Sequence, residues 1–358
     1  MHRRSLLLAA PAALAAGKFR LCLAGLTHGH ARGFLNALRN RTDIILAGIA
    51  EPSAALHAQY GATFQLPPET FHTSLASMLD KVKPDAVAAF SSTFGHLAIV
   101  DQCARRRIPV MMEKPLAVSR EHALAIRDAA AKYGIPVLVN YETTWYRSHA
   151  LLRREIESGA FGPIRKMVAM DGHQGPREIG VGPEFFGWLT DPSQNGAGAL
   201  FDFGCYGANL MTWLMNNRRP SAVTARTATF KPGIYPRVDD EATILLDYPG
   251  AQGIIQASWN WPYSRKDLEV YTANGYAHAN GGNRLRLLRP KSKEEEIVSP
   301  PELPPDERDP VSCLIAAVQR RLQPSGLSSL ENNLIATDIL VAARESARTG
   351  RTVTLAGA

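Results

Sequence analysis

The sequence predicts an α/β protein in two parts: a doubly wound parallel sheet, then an α+β domain with an open, mainly antiparallel sheet. Three observations predict it. The 358 residues exceed one ordinary core and suit two domains of roughly 150 residues each. Up to Tyr141, short apolar runs alternate with single helical stretches, the pattern of a parallel sheet covered on both faces. Beyond Tyr141 the alternation stops, and strand-like runs follow one another with short turns such as Asp247-Tyr248-Pro249-Gly250, which argues for antiparallel pairing.

The first strand is the apolar run Lys18 to Gly25, and Ala31 to Leu38 follows it with helical spacing. The second strand, Asp43 to Ala50, closes at Glu51 before the helix-like Ala54–Tyr60. Asp85 to Phe90 and Ile108 to Met112 are the next strands, with a helix over His96 to Arg106 between them. A helix over Arg120–Tyr133 leads into the strand Ile135–Asn140. In the second half, Trp145 to Ser158 reads as helix. Ile164–Met170, Ala222–Phe230, Glu241–Tyr248, Gly253–Trp259, Asp267–Thr272 and Arg284–Leu288 read as strands.

Composition removes several classes. With 45% hydrophobic and 20% charged residues, the chain can bury sizeable cores. No apolar run reaches the roughly 20 residues that span a bilayer. The four cysteines, Cys22, Cys103, Cys205 and Cys313, are far apart with no CxxC pair, so neither a disulfide scaffold nor a cysteine metal site is expected, and no metal ligands are assigned. The formal charge of +7 invites a nucleic-acid reading. The basic residues are scattered or followed by acids, as Arg284 to Lys293 is by Glu294-Glu295-Glu296, and no stacking motif accompanies them. Neither a nucleic-acid partner nor membrane insertion of the mature protein is therefore expected. Residues 1–17 read as a twin-arginine-type export signal: Arg3-Arg4, the Leu/Ala stretch Leu6 to Ala16, and small residues at Ala13-Leu14-Ala15. Loss of that segment lowers the formal charge to +5, and the expected location is periplasmic or exported, with the cytoplasm as the alternative. The expected divisions are 1–17 signal, 18–141 dinucleotide-binding Rossmann domain, and 142–358 substrate-binding and oligomerisation domain.

In a doubly wound sheet the ligand crevice lies at the strand C-termini, and the first turn is where a dinucleotide sits. Here the turn runs Gly25-Leu26-Thr27-His28-Gly29-His30. Gly25 fits the first position of the G-x-G-x-x-G fingerprint. Thr27 and His30 replace the second and third glycines, and Gly29 is out of phase. Glu51, 26 residues after Gly25, stands where an acid takes the ribose hydroxyls and repels a 2′-phosphate. That favours NAD over NADP.

The string Glu113-Lys114-Pro115-Leu116-Ala117 after the fifth strand resembles the glucose–fructose oxidoreductase / inositol dehydrogenase / rhizopine-catabolism (Gfo/Idh/MocA) family. Ser91-Ser92-Thr93-Phe94-Gly95-His96 stands in the place of that family's Thr-Pro-x-x-x-His loop, without the proline. Gly198 to Asn209 (GALFDFGCYGAN) is similar to its G-x-L-x-D-x-G-x-[HY]-x-x-[DN] helix, in the Tyr/Asn version found in glucose–fructose oxidoreductase. Ser328 to Leu355 looks like the family's terminal helix and strand. The resemblance implies a Rossmann domain holding the nicotinamide cofactor through Gly25, Thr27, His28, Gly29, His30, Glu51, Ser91, Ser92, His96, Glu113 and Lys114. It implies hydride transfer on a hydroxyl carbon of a sugar or polyol, and a homodimer or homotetramer formed through the C-terminal sheet.

That chemistry needs a group to hold the hydroxyl proton. Tyr206 can do so, and a nearby ammonium, Lys114, is expected to lower its phenol pKa and to stabilise charge on the substrate oxygen. Asp202 lies four residues before Tyr206, on one helix face with it, and is expected to orient Lys114 and meet substrate hydroxyls. Asn209 continues that face as a substrate contact. Asn140, at the end of the sixth strand, and His173, in the Gly-rich stretch Gly172 to Gly182, are further substrate candidates. Two alternatives stand beside a sugar dehydrogenase: an NAD-dependent glycoside hydrolase that oxidises transiently, and a non-catalytic sugar-binding or sensing protein.

Overall fold

The structure is a computed structural model that describes residues 17–355; the segment read above as an export signal, apart from Gly17, lies outside the described residues. The first part alternates as expected. β1 (Phe19–Ala24), β2 (Ile44–Ala50), β3 (Phe71–His72), β4 (Ala86–Ala89), β5 (Val110–Glu113) and β6 (Val137–Asn140) form one parallel sheet in the order β3-β2-β1-β4-β5-β6. Between them run α1 (His30–Leu38), α2 (Ala54–Phe64), α3 (Leu75–Val82), α4 (His96–Ala104) and α5 (Arg120–Tyr133). Strands buried on both faces read as continuous apolar runs, and every residue of β4 and β5 is buried. Ser53, Ser74 and Ser119 cap α2, α3 and α5 through their side chains, which fixes where each helix starts. The strand order reverses between β1 and β4, which opens the crevice above their C-terminal ends.

α6 (Arg147–Glu157) leads into β7 (Ile164–Gly172), followed by four short helices: α7 (Pro183–Leu189), α8 (Pro192–Asn195), α9 (Ala199–Asp202) and α10 (Gly204–Leu214). β8 (Ala222–Ala228), β9 (Glu241–Tyr248), β10 (Ala251–Ser258), β11 (Arg265–Thr272), β12 (Tyr276–Asn280), β13 (Leu285–Leu288) and β14 (Glu296–Val298) come next. α11 (Pro310–Val318), α12 (Leu330–Thr349) and β15 (Val353–Thr354) end the described chain. The second sheet has nine strands in the order β14-β13-β12-β11-β7-β10-β9-β8-β15. All neighbours are antiparallel except β7 and β10, because β7 enters the sheet before the meander that later flanks it. α10 and α12 pack together and α10 lies on the sheet, where a Cβ on Gly207 would meet Ile255 at 2.7 Å.

Sequence analysis misses β3, α3, β12, β14, α7 and α8. Two of these strands have only two or three residues, too short for a period to register. No helix among the described residues is long and apolar enough to cross a membrane.

Candidate active site

Lys114 leaves the C-terminal end of β5 through a cis Lys114–Pro115 peptide and reaches the second sheet's helices. Its ammonium donates to Asp202 Oδ1 at 2.6 Å and to the Asp202 carbonyl at 2.9 Å. Trp259 Nε1 donates to the other carboxylate oxygen at 2.9 Å. An ammonium has three donors, so one N–H of Lys114 remains for a ligand. Asp202 itself is placed by the turn before it. The Asp239 carboxylate accepts the Gly198 and Leu200 amides at 2.9 and 2.7 Å, and only glycine fits at 198, where a Cβ would lie 1.8 Å from the Asp239 carbonyl oxygen.

Asp202 and Tyr206 do not share one continuous helix, since the backbone breaks at Phe203 between α9 and α10. Both still line one cleft of about 350 Å³, with Lys114, His173, Lys266, Phe203, His30 and Gly29. The Lys114 and Lys266 ammonium groups stand 4.9 and 5.3 Å from the Tyr206 ring centroid, within cation–π range of its face. Lys266 also pairs with Glu142 at 2.7 Å.

The charges separate clearly. Burial would raise the Asp202 carboxyl, but Lys114 overrides it and holds the pKa at about 2. Burial would lower Lys114, and Asp202 overrides that to raise it. Tyr206 moves well above the ordinary phenol value, through burial first and then the charges of Glu142, Cys205 and Asp202. This corrects the expectation that Lys114 activates the phenol. The ammonium faces the ring and spends its charge on Asp202, so Tyr206 is a neutral hydroxyl at physiological pH.

At the first turn, Gly25 has φ +87°, and a Cβ there would lie 3.0 Å from the Phe90 carbonyl oxygen. The Thr27 and Gly29 amides have no acceptor among the described residues, and Gly29 is exposed. Free N–H groups entering α1 are the setting in which a pyrophosphate binds, so this part of the crevice fits a dinucleotide. His28 lies buried beneath the rings of Phe185 and Trp188, and Trp188 Nε1 donates to the Thr27 carbonyl at 3.2 Å. Ser91 and Ser92 sit after β4; Ser92 Oγ donates to Gln194 Oε1 and accepts the Gly95 amide, and Ser91 Oγ donates to the Ser92 carbonyl.

Several expected contacts take another form. Glu51 is 3% exposed and its carboxylate accepts the Leu26 and Ser53 amides at 2.8 and 2.9 Å. It ties the first turn to the start of α2 rather than facing an open ribose site. His96 is buried and its ring bonds the Leu116 carbonyl at 3.1 Å, so it braces the loop after β5 instead of lining the cleft. Glu113 accepts from His30 Nδ1 at 2.9 Å and from Asn140 Nδ2 at 2.8 Å; burial would raise it, but these neighbours and His28 bring it to about 2. Asn140 is thereby committed to Glu113 and to Trp145. His173 does line the cleft, its ring packed edge-on against Phe203 at 4.8 Å. Asn209 does not. It is fully buried and donates to the Leu327 carbonyl and Asn333, because α12 covers that face of α10. Lys266 and Trp259 were not anticipated; only strand register, which sets Lys266 opposite Asp171, brings the first to the cleft.

Known proteins show the same two-part construction. Residues 19–141 match the model of an oxidoreductase family with an NAD-binding Rossmann fold, and residues 149–278 match the GFO/IDH/MocA C-terminal domain. The chain is 25% identical over 288 residues to D-apiose dehydrogenase of Rhizobium rhizogenes, covering 75% of this chain and 79% of that one. It is 38% identical to trans-1,2-dihydrobenzene-1,2-diol dehydrogenase of Xenopus laevis over 63 residues, only 18% of either chain. Among solved structures, the aldose-aldose oxidoreductase of Caulobacter crescentus with glycerol superposes with a TM-score of 0.80 at 20% identity, over 95% of this chain and all of that one. An inositol dehydrogenase homolog of Azotobacter vinelandii with NAD+ reaches 0.81 at 17% identity, over 95% and 98%. With both domain models matched in order along most of its length, the chain belongs to the Gfo/Idh/MocA family of NAD-dependent oxidoreductases.

Proposed function

We propose that this protein transfers hydride between NAD and a hydroxyl-bearing carbon of a sugar or polyol in the cleft between its two sheets. Bound NAD supplies the hydride acceptor or donor. The remaining Lys114 N–H binds the substrate oxygen and stabilises negative charge as it develops there. Tyr206, a neutral phenol, donates a proton to that oxygen in the carbonyl-reducing direction and must receive one in the reverse. Asp202 keeps Lys114 charged and aimed. His173 and Lys266 are placed to meet further substrate hydroxyls. The observation that carries this reading is the buried Lys114–Asp202 pair set beside Tyr206 on the cleft wall. The names of the relatives, D-apiose dehydrogenase among them, support the substrate class. We further propose export through the Arg3-Arg4 segment and self-association through the uncovered face of the second sheet.

The test is a panel of sugars and polyols incubated with purified protein and NAD, read by the absorbance of NADH. A substrate that yields NADH with the wild type and none with Lys114→Ala supports the proposal. Failure of every polyol, with no NAD binding by calorimetry, would sink it. Cleavage of a glycoside with no net NADH would replace it with the hydrolase reading.

A further inference from the structure

Where the dinucleotide fingerprint calls for its third glycine, this chain places His30, two residues after a second imidazole, His28. His28 and His30 on the first turn and Glu113 at the end of β5 converge so that one ligating atom from each lies within 4.8 Å of the others. We propose that they form a binding site for a divalent transition-metal ion, with two nitrogens and one carboxylate oxygen from the protein.

The donor set defines the class of ion. Imidazole with carboxylate suits zinc and its first-row neighbours, whereas magnesium and calcium prefer all-oxygen shells. Three protein ligands leave a position open, as in sites that bind an exogenous oxygen rather than purely structural ones. Donor atoms on one tetrahedral zinc lie about 3.3 Å apart, given bonds of about 2 Å. His30 Nδ1 and Glu113 Oε2 already stand 2.9 Å apart, so closure asks for an approach of at most about 1.5 Å between that pair and His28. The His30 side chain is 47% exposed and has room to adjust, while His28 and Glu113 are buried.

The surroundings favour a cation here. Glu113 is a buried carboxylate, and its one ion-pair partner among the described residues is His30, which is charged only if protonated. The adjacent Lys114 is committed to Asp202. A metal ion held by His28, His30 and Glu113 would set a full positive charge against the Glu113 carboxylate. The ligands already have supporting contacts: Asn140 fixes the Glu113 carboxylate and is itself fixed by Trp145, and the rings of Phe185 and Trp188 hold His28. Such outer contacts orient metal ligands. Two contacts compete: His30 Nδ1 with Glu113 Oε2 at 2.9 Å, whose shared proton leaves when both atoms take the metal, and the His30 amide to His28 Nδ1, long at 3.2 Å, which gives way if that nitrogen takes the metal. His30 lines the cleft that holds Lys114 and Asp202, so the open position would face oxygen ligands there: a hydroxyl, a carbonyl or a phosphate.

The test uses the full chain, stripped with chelator and then titrated with Zn²⁺ or Co²⁺ alone. Metal content by mass spectrometry should reach one equivalent per chain, and bound Co²⁺ should show visible absorption bands of a low-coordinate nitrogen and oxygen site. His30→Gln, at the half-exposed position, and Glu113→Gln should each weaken Zn²⁺ binding by more than about 100-fold, beyond what loss of an outer contact costs. His57→Gln, on α2, should bind as the wild type does. Less than 0.1 equivalent of metal on the folded wild type, or uptake unchanged in His30→Gln, would overturn the proposal. Neither readout depends on turnover, so the result is independent of the proposed reaction.

Discussion

The Lys114–Asp202 pair is the contact that joins the two halves of the site, and its strength can be measured by a double-mutant cycle. The perturbations are Lys114→Met, Asp202→Ala and the two together. Lys114 overcomes the burial of Asp202 and still holds its carboxyl at about 2, against an ordinary 3.8. At about 1.4 kcal/mol per pKa unit, that lowering puts the net attraction on the order of a few kcal/mol, and the direct attraction must exceed it by whatever burial takes away. Removing either partner strands a buried charge, which costs about 3–5 kcal/mol. Asp202→Ala also strands the Trp259 indole, which adds about 1–3 kcal/mol. The double variant leaves no buried charge, so its loss should fall short of the sum of the singles by about 3 kcal/mol. Urea unfolding followed by far-ultraviolet circular dichroism reads all four proteins. Additivity within about 0.5 kcal/mol would refute a tightly coupled buried pair.

Three further outcomes are expected. Tyr206→Phe should lower the rate by about 10²- to 10⁴-fold with unchanged circular dichroism; and since the wild-type phenol titrates well above its ordinary value, alcohol oxidation should climb with pH across neutrality, so a plateau at pH 7 would remove Tyr206 as the proton-holding group. Gly25→Ala places a Cβ against the Phe90 carbonyl at φ +87° and should destabilise by about 1–3 kcal/mol; an unchanged thermal midpoint would mean the turn relaxes freely. His149 is buried with its pKa lowered from 6.5 to about 4, so the unfolded chain binds the extra proton in that window and stability is lost as pH falls from 6.5 to 4, by about 3 kcal/mol at most; His149→Gln should shrink the drop in urea midpoint between pH 7 and pH 4.5, and an equal drop in both proteins would contradict the shift.

The alternation of strand and helix was legible because parallel strands buried on both faces leave unbroken apolar runs such as Asp85 to Phe90. The Lys114, Asp202 and Tyr206 cluster was legible because two family motifs carry them, Glu113 to Ala117 for the first and Gly198 to Asn209 for the others. What escaped depends on distances that spacing does not encode. Asn209 follows Tyr206 by three residues, yet α12, more than 120 residues later, covers that face. Glu51 stands at the expected place in the chain, but its rotamer turns it toward two backbone amides. Lys266 reaches the cleft only through the register of β11 on β7. The charge state of Tyr206 depends first on its burial and then on the carboxylates around it, and no residue spacing states either.

The electrostatics also give the site a direction. A group that takes a proton from an alcohol must be deprotonated beforehand, and a phenol pushed above its ordinary pKa is almost never so at neutral pH. A group that gives a proton to a carbonyl must be protonated, and both Tyr206 and Lys114 meet that condition. Burial raises Tyr206 first, and the carboxylates that add to it, Glu142 and Asp202, are themselves held ionised by Lys266 and Lys114, so the bias is built into the packing and the pairing. Moving Lys114 from Asp202 toward the phenol hydroxyl would reverse it, because the ammonium would then stabilise phenolate. Ligand contact with the one uncommitted Lys114 N–H leaves the pair with Asp202 intact, and with it the preference for delivering a proton rather than removing one.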